Sequence, residues 1–213
     1  MQASPTAHVA HHFESLEKQT HAARLGMWLF LATEVLLFAA LFTAYGVYRF
    51  LYTDGFHQAS QTIETWVGLT NTAVLVTSSF TVAWGLHQAT RGNSRGTAFW
   101  FFVSVLFAFV FLGFKAYEYS HHIHTGQLPG RYFAFSGITA AGGPIFFSLY
   151  FLITGLHAIH VIIGMTILAI VGVLAWRRKF DAEYHTPVEL AGLYWHLVDL
   201  IWIFVFPLFY LIG

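Results

Sequence analysis

The sequence predicts an all-α protein that crosses a membrane five times. Three observations support this prediction. Of the 213 residues, 57% are hydrophobic. Only 9% are charged, against about 25% in soluble domains. Five apolar runs are each long enough to cross a hydrocarbon core about 30 Å thick as a helix. Only helices satisfy every backbone polar group internally over such runs, so one bundle of five transmembrane helices is expected.

The apolar segments follow a polar stretch, residues 1–23, which we expect to be an N-terminal tail with a short surface helix from about Phe13. Residues 24–213 then form one transmembrane domain, with helices predicted at about 24–50, 66–90, 96–118, 144–176 and 190–212. Nothing in the sequence fixes the geometry of three histidines in the tail, so we interpret them as solvated side chains rather than metal ligands. They are His8, His11 and His12.

The basic residues predict the orientation of the bundle. Cytoplasmic loops carry an excess of Lys and Arg. Seven such residues lie on the side of the N-terminal tail and three on the other, which places the N-terminus in the cytoplasm and the C-terminus in the periplasm. The seven are Lys18, Arg24, Arg91, Arg95, Arg177, Arg178 and Lys179, and the three are Arg49, Lys115 and Arg131.

The first apolar segment carries a carboxylate, Glu34, near its middle. An ionised carboxylate inside hydrocarbon costs at least about 2.5–3.5 kcal/mol, so this group must be protonated, paired or directed into a polar cleft. The residues alone leave three interpretations open: a protonated structural hydrogen bonder, a member of a proton path, or an ion-coupling carboxylate of a transporter. Secondary transporters usually contain internal repeats and broken helices, and we find no internal repeat.

Five further polar side chains fall inside the apolar segments, around the expected middle of the membrane. Two histidines three residues apart share one helix face, and so do a histidine and an aspartate that could bond each other. Histidines on two helices could clamp a haem iron or bind copper. Alternatively, these groups form interhelical hydrogen bonds, worth about 0.6 kcal/mol each on average in membranes. The five are Asn71, His157, His160, His196 and Asp199.

Composition excludes several classes of site. The chain has no Cys, which excludes disulfides, thiolate-bound zinc, iron–sulfur clusters and a thiolate-bridged copper pair. Lys+Arg and Asp+Glu balance at 10 each, so there is no basic footprint for nucleic acid. The basic run Arg177–Lys179 could bind anionic lipid headgroups or simply set the topology. Near the end of the third segment, we interpret Glu118 and Lys115 as an interfacial pair rather than a site.

Five segments read together closely resemble subunit III of the haem–copper respiratory oxidases, the cytochrome c oxidase family. The resemblance covers about residues 20–212. Full-length members of that family have seven transmembrane helices, so five helices resemble the short bacterial form that lacks the first two. The segments are RLGMWLFLATEVLLFAALFTAY, LTNTAVLVTSSFTVAWGLHQA, GFKAYEY, TGLHAIHVIIGMTILAI and AGLYWHLVDLIWIFVFPLFYL.

The resemblance implies that this chain binds no metal and has no catalytic residue, because haem and copper belong to partner subunits I and II. Glu34 matches a carboxylate that reacts with hydrophobic carbodiimides and lines a phospholipid-filled cleft near the proton-uptake route of subunit I. We therefore expect Glu34 to be mostly protonated at neutral pH. The two missing helices would leave the cleft incomplete or completed by a partner. Candidate ligands of lipid headgroups are Trp28, Arg177, Arg178, Lys179 and His185.

The resemblance thus predicts an accessory, non-redox subunit of a terminal cytochrome c oxidase in a bacterial inner membrane. Its partners would be subunits I and II and membrane lipids, with cytochrome c as electron donor to a complex that reduces O2 and pumps protons. Alternatives are subunit III of a quinol oxidase, an accessory chain of nitric oxide reductase and, less favoured, an independent secondary transporter. A stand-alone cytochrome would show a Soret band in the purified chain.

Overall fold

The computed structural model describes residues 9–212, which form helices joined by turns, without a β-strand among them. Five helices in the described residues have the length and apolar character needed to span a membrane. This confirms the predicted fold class. The helices are α1 (Leu16–Leu51), α2 (Thr53–Ser60), α3 (Thr65–Thr90), α4 (Ser94–His124), α5 (Gly143–Trp176) and α6 (Thr186–Tyr210), with a 3-10 turn at Gly130–Tyr132.

Three helices extend beyond the apolar segments from which they were predicted. Helix α1 begins at Leu16 because Ser15 caps it, its hydroxyl oxygen accepting from the backbone N–H of Lys18 at 3.2 Å. The expected surface helix from Phe13 is therefore the start of α1 itself. Helix α4 continues to His124, and α6 already begins at Thr186. Hydropathy marks the part of a helix that crosses the membrane, whereas capping and polar contacts decide where the helix ends.

Helices α3 to α6 form the densely packed part of the bundle. Two indole groups of α6 donate to hydroxyls of α3: Trp195 Nε1 to Ser78 Oγ at 3.1 Å, and Trp202 Nε1 to Thr72 Oγ1 at 3.0 Å. Glycines let the large rings approach. A Cβ added at Gly164 of α5 would lie 2.8 Å from the Trp195 ring, so only glycine fits there without a shift. Small and hydroxyl residues at such contacts are typical of helix packing in lipid.

Helix α1 packs less closely. Only Leu31, Phe38 and Tyr45 of its 36 residues are buried. At the end of the bundle where α1 begins, here called the N-side, polar contacts tie it to α6. There Arg24 forms an ion pair with Glu189 at 2.7 Å, and the hydroxyls of residues 20 and 186 lie 3.1 Å apart. The N-side end of α1 is thus attached to α6 through polar side chains.

The opposite end of the bundle, where α6 ends, is called the C-side. Here the Tyr45 hydroxyl donates to the carbonyl of Leu208 at 2.6 Å, and the Arg49 guanidinium donates to the carbonyl of Ile212. The Leu208 carbonyl lies in the last turn of α6, where carbonyls have no partner further along the helix, and the Ile212 carbonyl lies just beyond it. The two helices are therefore bonded to each other at both ends.

Candidate functional site

Glu34 of α1 and His160 of α5 form a hydrogen-bonded pair inside the bundle. Nε2 of His160 lies 2.7 Å from Oε2 of Glu34. The two side chains are only 11% and 15% exposed, His160 and Glu34 respectively. Phe38, one turn along α1, packs edge-on against the imidazole with ring centroids 5.3 Å apart. This is the polar contact that joins α1 to α5 part-way along both helices.

The second nitrogen of His160 determines how the pair is protonated. Nδ1 lies 2.8 Å from the carbonyl oxygen of Leu156. A carbonyl oxygen can only accept, so Nδ1 must carry a hydrogen and donate it. Nε2 and the Glu34 carboxyl then share one further proton, which lies either on Glu34 in a neutral pair or on His160 in an ion pair. The pair has no net charge in either form, which limits the cost of placing a carboxyl in the membrane.

His157, three residues before His160, does not join this pair. It is fully buried, with its ring packed against Trp202 and Phe111 at centroid distances of 5.1 and 5.7 Å. Neither of its ring nitrogens has a hydrogen-bond partner within residues 9–212. The structure therefore separates the two histidines that the sequence placed on one face: one bonds across to α1 and the other packs among aromatic rings.

The predicted bond between His196 and Asp199 is not formed. Instead, Nδ1 of His196 lies 2.6 Å from the hydroxyl of Ser79 on α3. Asp199 is 4% exposed, and neither of its carboxyl oxygens is bonded to a described residue. Ser79 lies beside this carboxyl as well, but its hydrogen bond goes to the imidazole. The serine thus takes the partner that the spacing had assigned to the aspartate.

Asn71 of α3 is the remaining member of the predicted polar set. It is fully buried, and neither end of its amide has a partner among the residues that the structure describes. The described part of the chain also holds no group of three or more His, Asp or Glu residues placed to bind a metal ion. In the tail, His11 and His12 are exposed with ring centroids 5.1 Å apart, while His8 lies outside the described residues.

An apolar groove with a volume of about 620 Å³ runs between α1 and α6. Trp28 stands at its N-side end and is 61% exposed. His196 is the one ionisable side chain among the described residues that line the groove, and its bond to Ser79 fixes the ring. The other residues that line the groove are aliphatic: Leu31, Ala32, Val35, Leu36, Leu193, Leu197 and Leu200.

The basic run lies at the N-side, where α5 ends. Arg177, Arg178 and Lys179 are all exposed. The N–H of Lys179 donates to the carbonyl of Leu174 at 3.1 Å while Arg178 adopts a left-handed conformation with φ 55. This is a Schellman cap, and cations there also suit the negative end of the helix dipole. His185 precedes α6, and its Nδ1 is buried without a partner among the described residues.

Sequence reasoning missed a buried ionic cluster at the C-side. Lys115 and Glu118 form an ion pair at 2.8 Å, and both side chains are only 4% exposed, so other parts of the bundle enclose the pair. The orientation count placed Lys115 in a loop, whereas Lys115 lies within α4. Its ammonium also donates to the hydroxyls of Tyr150 at 3.0 Å and Tyr210 at 3.2 Å. The sequence did contain a signal for this cluster: a Lys and a Glu three residues apart, next to tyrosines, at the end of an apolar segment.

The fold and these contacts define a polytopic membrane protein with two buried acid–base pairs, Glu34–His160 between α1 and α5 and Lys115–Glu118 within α4. Comparison with known proteins identifies its family. The chain belongs to the family of cytochrome c oxidase subunit III, whose family model matches residues 5–213. This confirms the resemblance seen in the five quoted segments.

Relatives in the family carry two kinds of name. The chain is 32% identical over 195 residues to cytochrome c oxidase subunit 3 of Thermostichus vulcanus, covering 88% of this chain and 86% of the relative. It is 29% identical to quinol oxidase subunit 3 of Bacillus subtilis, covering 93% and 92%. It is also 30% identical to cytochrome bo(3) ubiquinol oxidase subunit 3 of Pseudomonas aeruginosa, covering 88% and 84%.

Family and fold together establish what kind of protein this is. It is a subunit III of the haem–copper terminal oxidases, and membership of such a complex implies association with other oxidase subunits. Its five membrane-spanning helices and its bacterial relatives make it a multi-pass protein of a bacterial membrane.

Proposed function

We propose that this chain is an accessory subunit that carries no redox centre, stabilises the catalytic subunit of its oxidase, binds phospholipid and supports proton uptake. The complex as a whole would reduce O2 and pump protons, with haem and copper held by partner subunits. The N-terminus would face the cytoplasm. Family membership supports the assembly, and the Glu34–His160 pair is the observation that carries the role of this chain within it.

The geometry of the Glu34–His160 pair suits a supporting role in proton transfer to a neighbouring subunit. Glu34 and His160 can pass one proton between them without losing their hydrogen bond, because Nδ1 of His160 stays engaged with a carbonyl. Glu34 is also 15% exposed at the side of α1. It can therefore meet a lipid or a partner chain there, which a fully enclosed structural carboxyl could not do.

Lipid binding is supported by the groove between α1 and α6. Its apolar lining and its volume of about 620 Å³ suit acyl chains, and Trp28 stands at the N-side mouth, where amphipathic rings favour the membrane interface. The exposed basic run Arg177–Lys179 lies at the same end of the bundle and could bind anionic headgroups. Single amphiphiles held this way would link the chain to its neighbours in the complex.

Substitution of Glu34 in the intact oxidase tests the proposal. Glu34→Gln keeps a side chain that can donate to Nε2 of His160 but cannot exchange a proton, whereas Glu34→Ala removes the bond. We expect both variants to retain most of the initial O2-reduction rate and the haem spectrum. Both should slow proton uptake in single-turnover flow experiments or shorten the number of turnovers before inactivation, the Ala variant more. Loss of haem from the complex, or variants with wild-type uptake and lifetime, would contradict the proposal.

A specific observation favours a second candidate, subunit III of a quinol oxidase. Relatives of similar identity are named as quinol oxidase subunits, at 29% and 30% identity. Cytochrome c as electron donor remains our first proposal. Measured O2 consumption by the purified complex with reduced cytochrome c, compared with a reduced quinol, separates the two.

A further inference from the structure

The last turn of α6 lacks one backbone hydrogen bond. Pro207 stands inside it, and proline has no N–H to donate to the preceding turn. The carbonyls that follow have no partner further along the helix. Just past the helix, the N–H groups of Leu211 and Ile212 both bond back to the Pro207 carbonyl, at 3.1 and 2.9 Å. With one helical bond missing at Pro207, contacts from elsewhere in the bundle contribute to holding this turn in place.

Side chains from several helices converge on this turn. From α1, Tyr45 donates to the Leu208 carbonyl at 2.6 Å, and Arg49 donates to that of Ile212. From α3, the Thr65 hydroxyl donates to the Tyr210 carbonyl at 3.4 Å. The C-side end of α1 is thus attached to backbone atoms at the end of α6, which contacts from other helices also hold in place.

The Tyr210 side chain supplies the firmest of these. Its hydroxyl donates to Oε1 of Glu118 at 2.7 Å and accepts from Nζ of Lys115 at 3.2 Å. The Lys115 ammonium also lies 5.6 Å from the centre of the Trp202 ring, also on α6. Its three donors are all engaged, by Glu118, Tyr150 and Tyr210. A buried ion pair whose donors are all satisfied strongly resists rearrangement, because moving one member leaves a charge without a partner.

We propose that Lys115 and Glu118 are positioning residues for α1, although they do not touch it. They fix the last turn of α6 through Tyr210, and that turn in turn fixes the C-side end of α1 through Tyr45 and Arg49. Helix α1 buries little of its own surface, so its placement depends on such bonds. Because α1 carries Glu34, the ion pair sets how Glu34 meets His160. This inference is independent of the proposed function.

Distances between spin labels on α1 and α4 test the inference in the full chain reconstituted in lipid nanodiscs. The chain has no Cys, so introduced cysteines are labelled cleanly. Labels at Val47→Cys and Phe109→Cys, both exposed, report the position of the C-side half of α1 relative to α4. Labels at Leu25→Cys and Phe99→Cys, also exposed, report the N-side as an internal reference.

The test variant is Tyr210→Phe, which keeps the ring and removes the hydroxyl that links α6 to the ion pair. The matched control is Tyr119→Phe, which removes a partly buried hydroxyl of the same aromatic cluster. That hydroxyl lies 2.6 Å from Thr154 of α5 and makes no bond to α6. Tyr45→Phe breaks the link directly at α1.

We expect Tyr210→Phe and Tyr45→Phe to broaden the 47–109 distance distribution, with the ratio of anchored to released α1 falling roughly three- to tenfold. The 25–99 distribution and the Tyr119→Phe control should stay as in the wild type. Broadening in Tyr45→Phe without broadening in Tyr210→Phe overturns the proposal, because the ion pair would then not position α1. Unchanged distributions in both variants overturn it as well.

The infrared absorption of the Glu34 carboxyl gives a second readout, which a change confined to the C-side would not alter. The band is assigned by its loss in Glu34→Gln. We expect Tyr210→Phe to shift or split it, as the hydrogen bond to His160 loosens in part of the population, and Tyr119→Phe to leave it in place. An unshifted band in Tyr210→Phe contradicts the claim that the ion pair acts as far as Glu34.

Discussion

Helices α1 and α6 lie side by side, yet they are held in the bundle by different means. In the most apolar stretch of α6, 56% of residues are buried, against 11% in that of α1. Helix α6 packs Trp195 and Trp202 into the core, whereas α1 is bonded at its N-side end, at Glu34 and at its C-side end.

The difference shows what keeps a helix in place in lipid. Apolar burial between helices provides little driving force there, because lipid tails are as apolar as the side chains. Close packing holds α6, and a few polar bonds hold α1. Helix α1 is therefore the element whose position is easiest to change, and it is also the one that carries the candidate functional carboxyl. Besides the Glu34 variants, three sets of substitutions test this difference between α1 and the rest of the bundle.

The largest effect is expected from Glu118→Leu in the densely packed part of the bundle. The substitution leaves the Lys115 ammonium buried without its counter-charge, which should lower the free energy of unfolding by about 3–5 kcal/mol. Unfolding in mixed micelles at increasing SDS fraction measures it. The double variant Lys115→Met/Glu118→Leu is the control and should recover most of the loss, since no charge is left unpaired. Equal loss in both variants would mean that packing, rather than the charge, is responsible.

A smaller effect is expected from adding one methyl group to each of two glycines. A Cβ at Gly164 of α5 meets the Trp195 ring at 2.8 Å, whereas a Cβ at Gly46 of α1 meets nothing within 4 Å. Gly164→Ala should therefore cost about 1–3 kcal/mol through overpacking. Gly46→Ala should be neutral or stabilise by about 0.5–1 kcal/mol. The same SDS titration compares them, and similar losses at both positions would show that α1 packs as tightly as α5.

The smallest effect is expected from Arg24→Gln, which breaks the N-side ion pair between α1 and α6. The Arg24 side chain is 48% exposed, so water and salt screen the pair and the loss should be only about 0.2–1 kcal/mol. Glu189→Gln should match it, and the difference from the wild type should shrink in high salt. A loss that is independent of salt would indicate that Arg24 acts through packing of its aliphatic stem.

The sequence predicts the five long helices because hydropathy alone determines which segments cross a membrane. It also predicts that Glu34 and His160 lie at similar depth, since depth follows from position along a helix. It does not predict that they bond, because hydropathy does not give the rotation of one helix against another. For the same reason the sequence does not predict that Ser79 of α3 bonds His196 in place of Asp199, which lies on the same helix as His196.

The burial of Lys115 and Glu118 was missed for a related reason. The apolar run ends at about residue 118, so the pair was expected at the end of the segment, but α4 continues to His124 and both side chains are buried. Their partners Tyr150 and Tyr210 lie 35 and 95 positions away along the chain from Lys115. Only the packed structure brings such distant tyrosines to one ammonium group, and hydropathy carries no information about it.

Purification of the chain in mild detergent from its native membrane tests the central claim most directly. Mass spectrometry of the co-purifying chains and haem spectroscopy of the same sample are the two readouts. A haem–copper oxidase subunit III predicts a stoichiometric complex with larger oxidase subunits and a haem spectrum that belongs to those partners. The chain purified alone should then show no Soret band. A chain that purifies without oxidase subunits, or that carries haem by itself, would contradict the account.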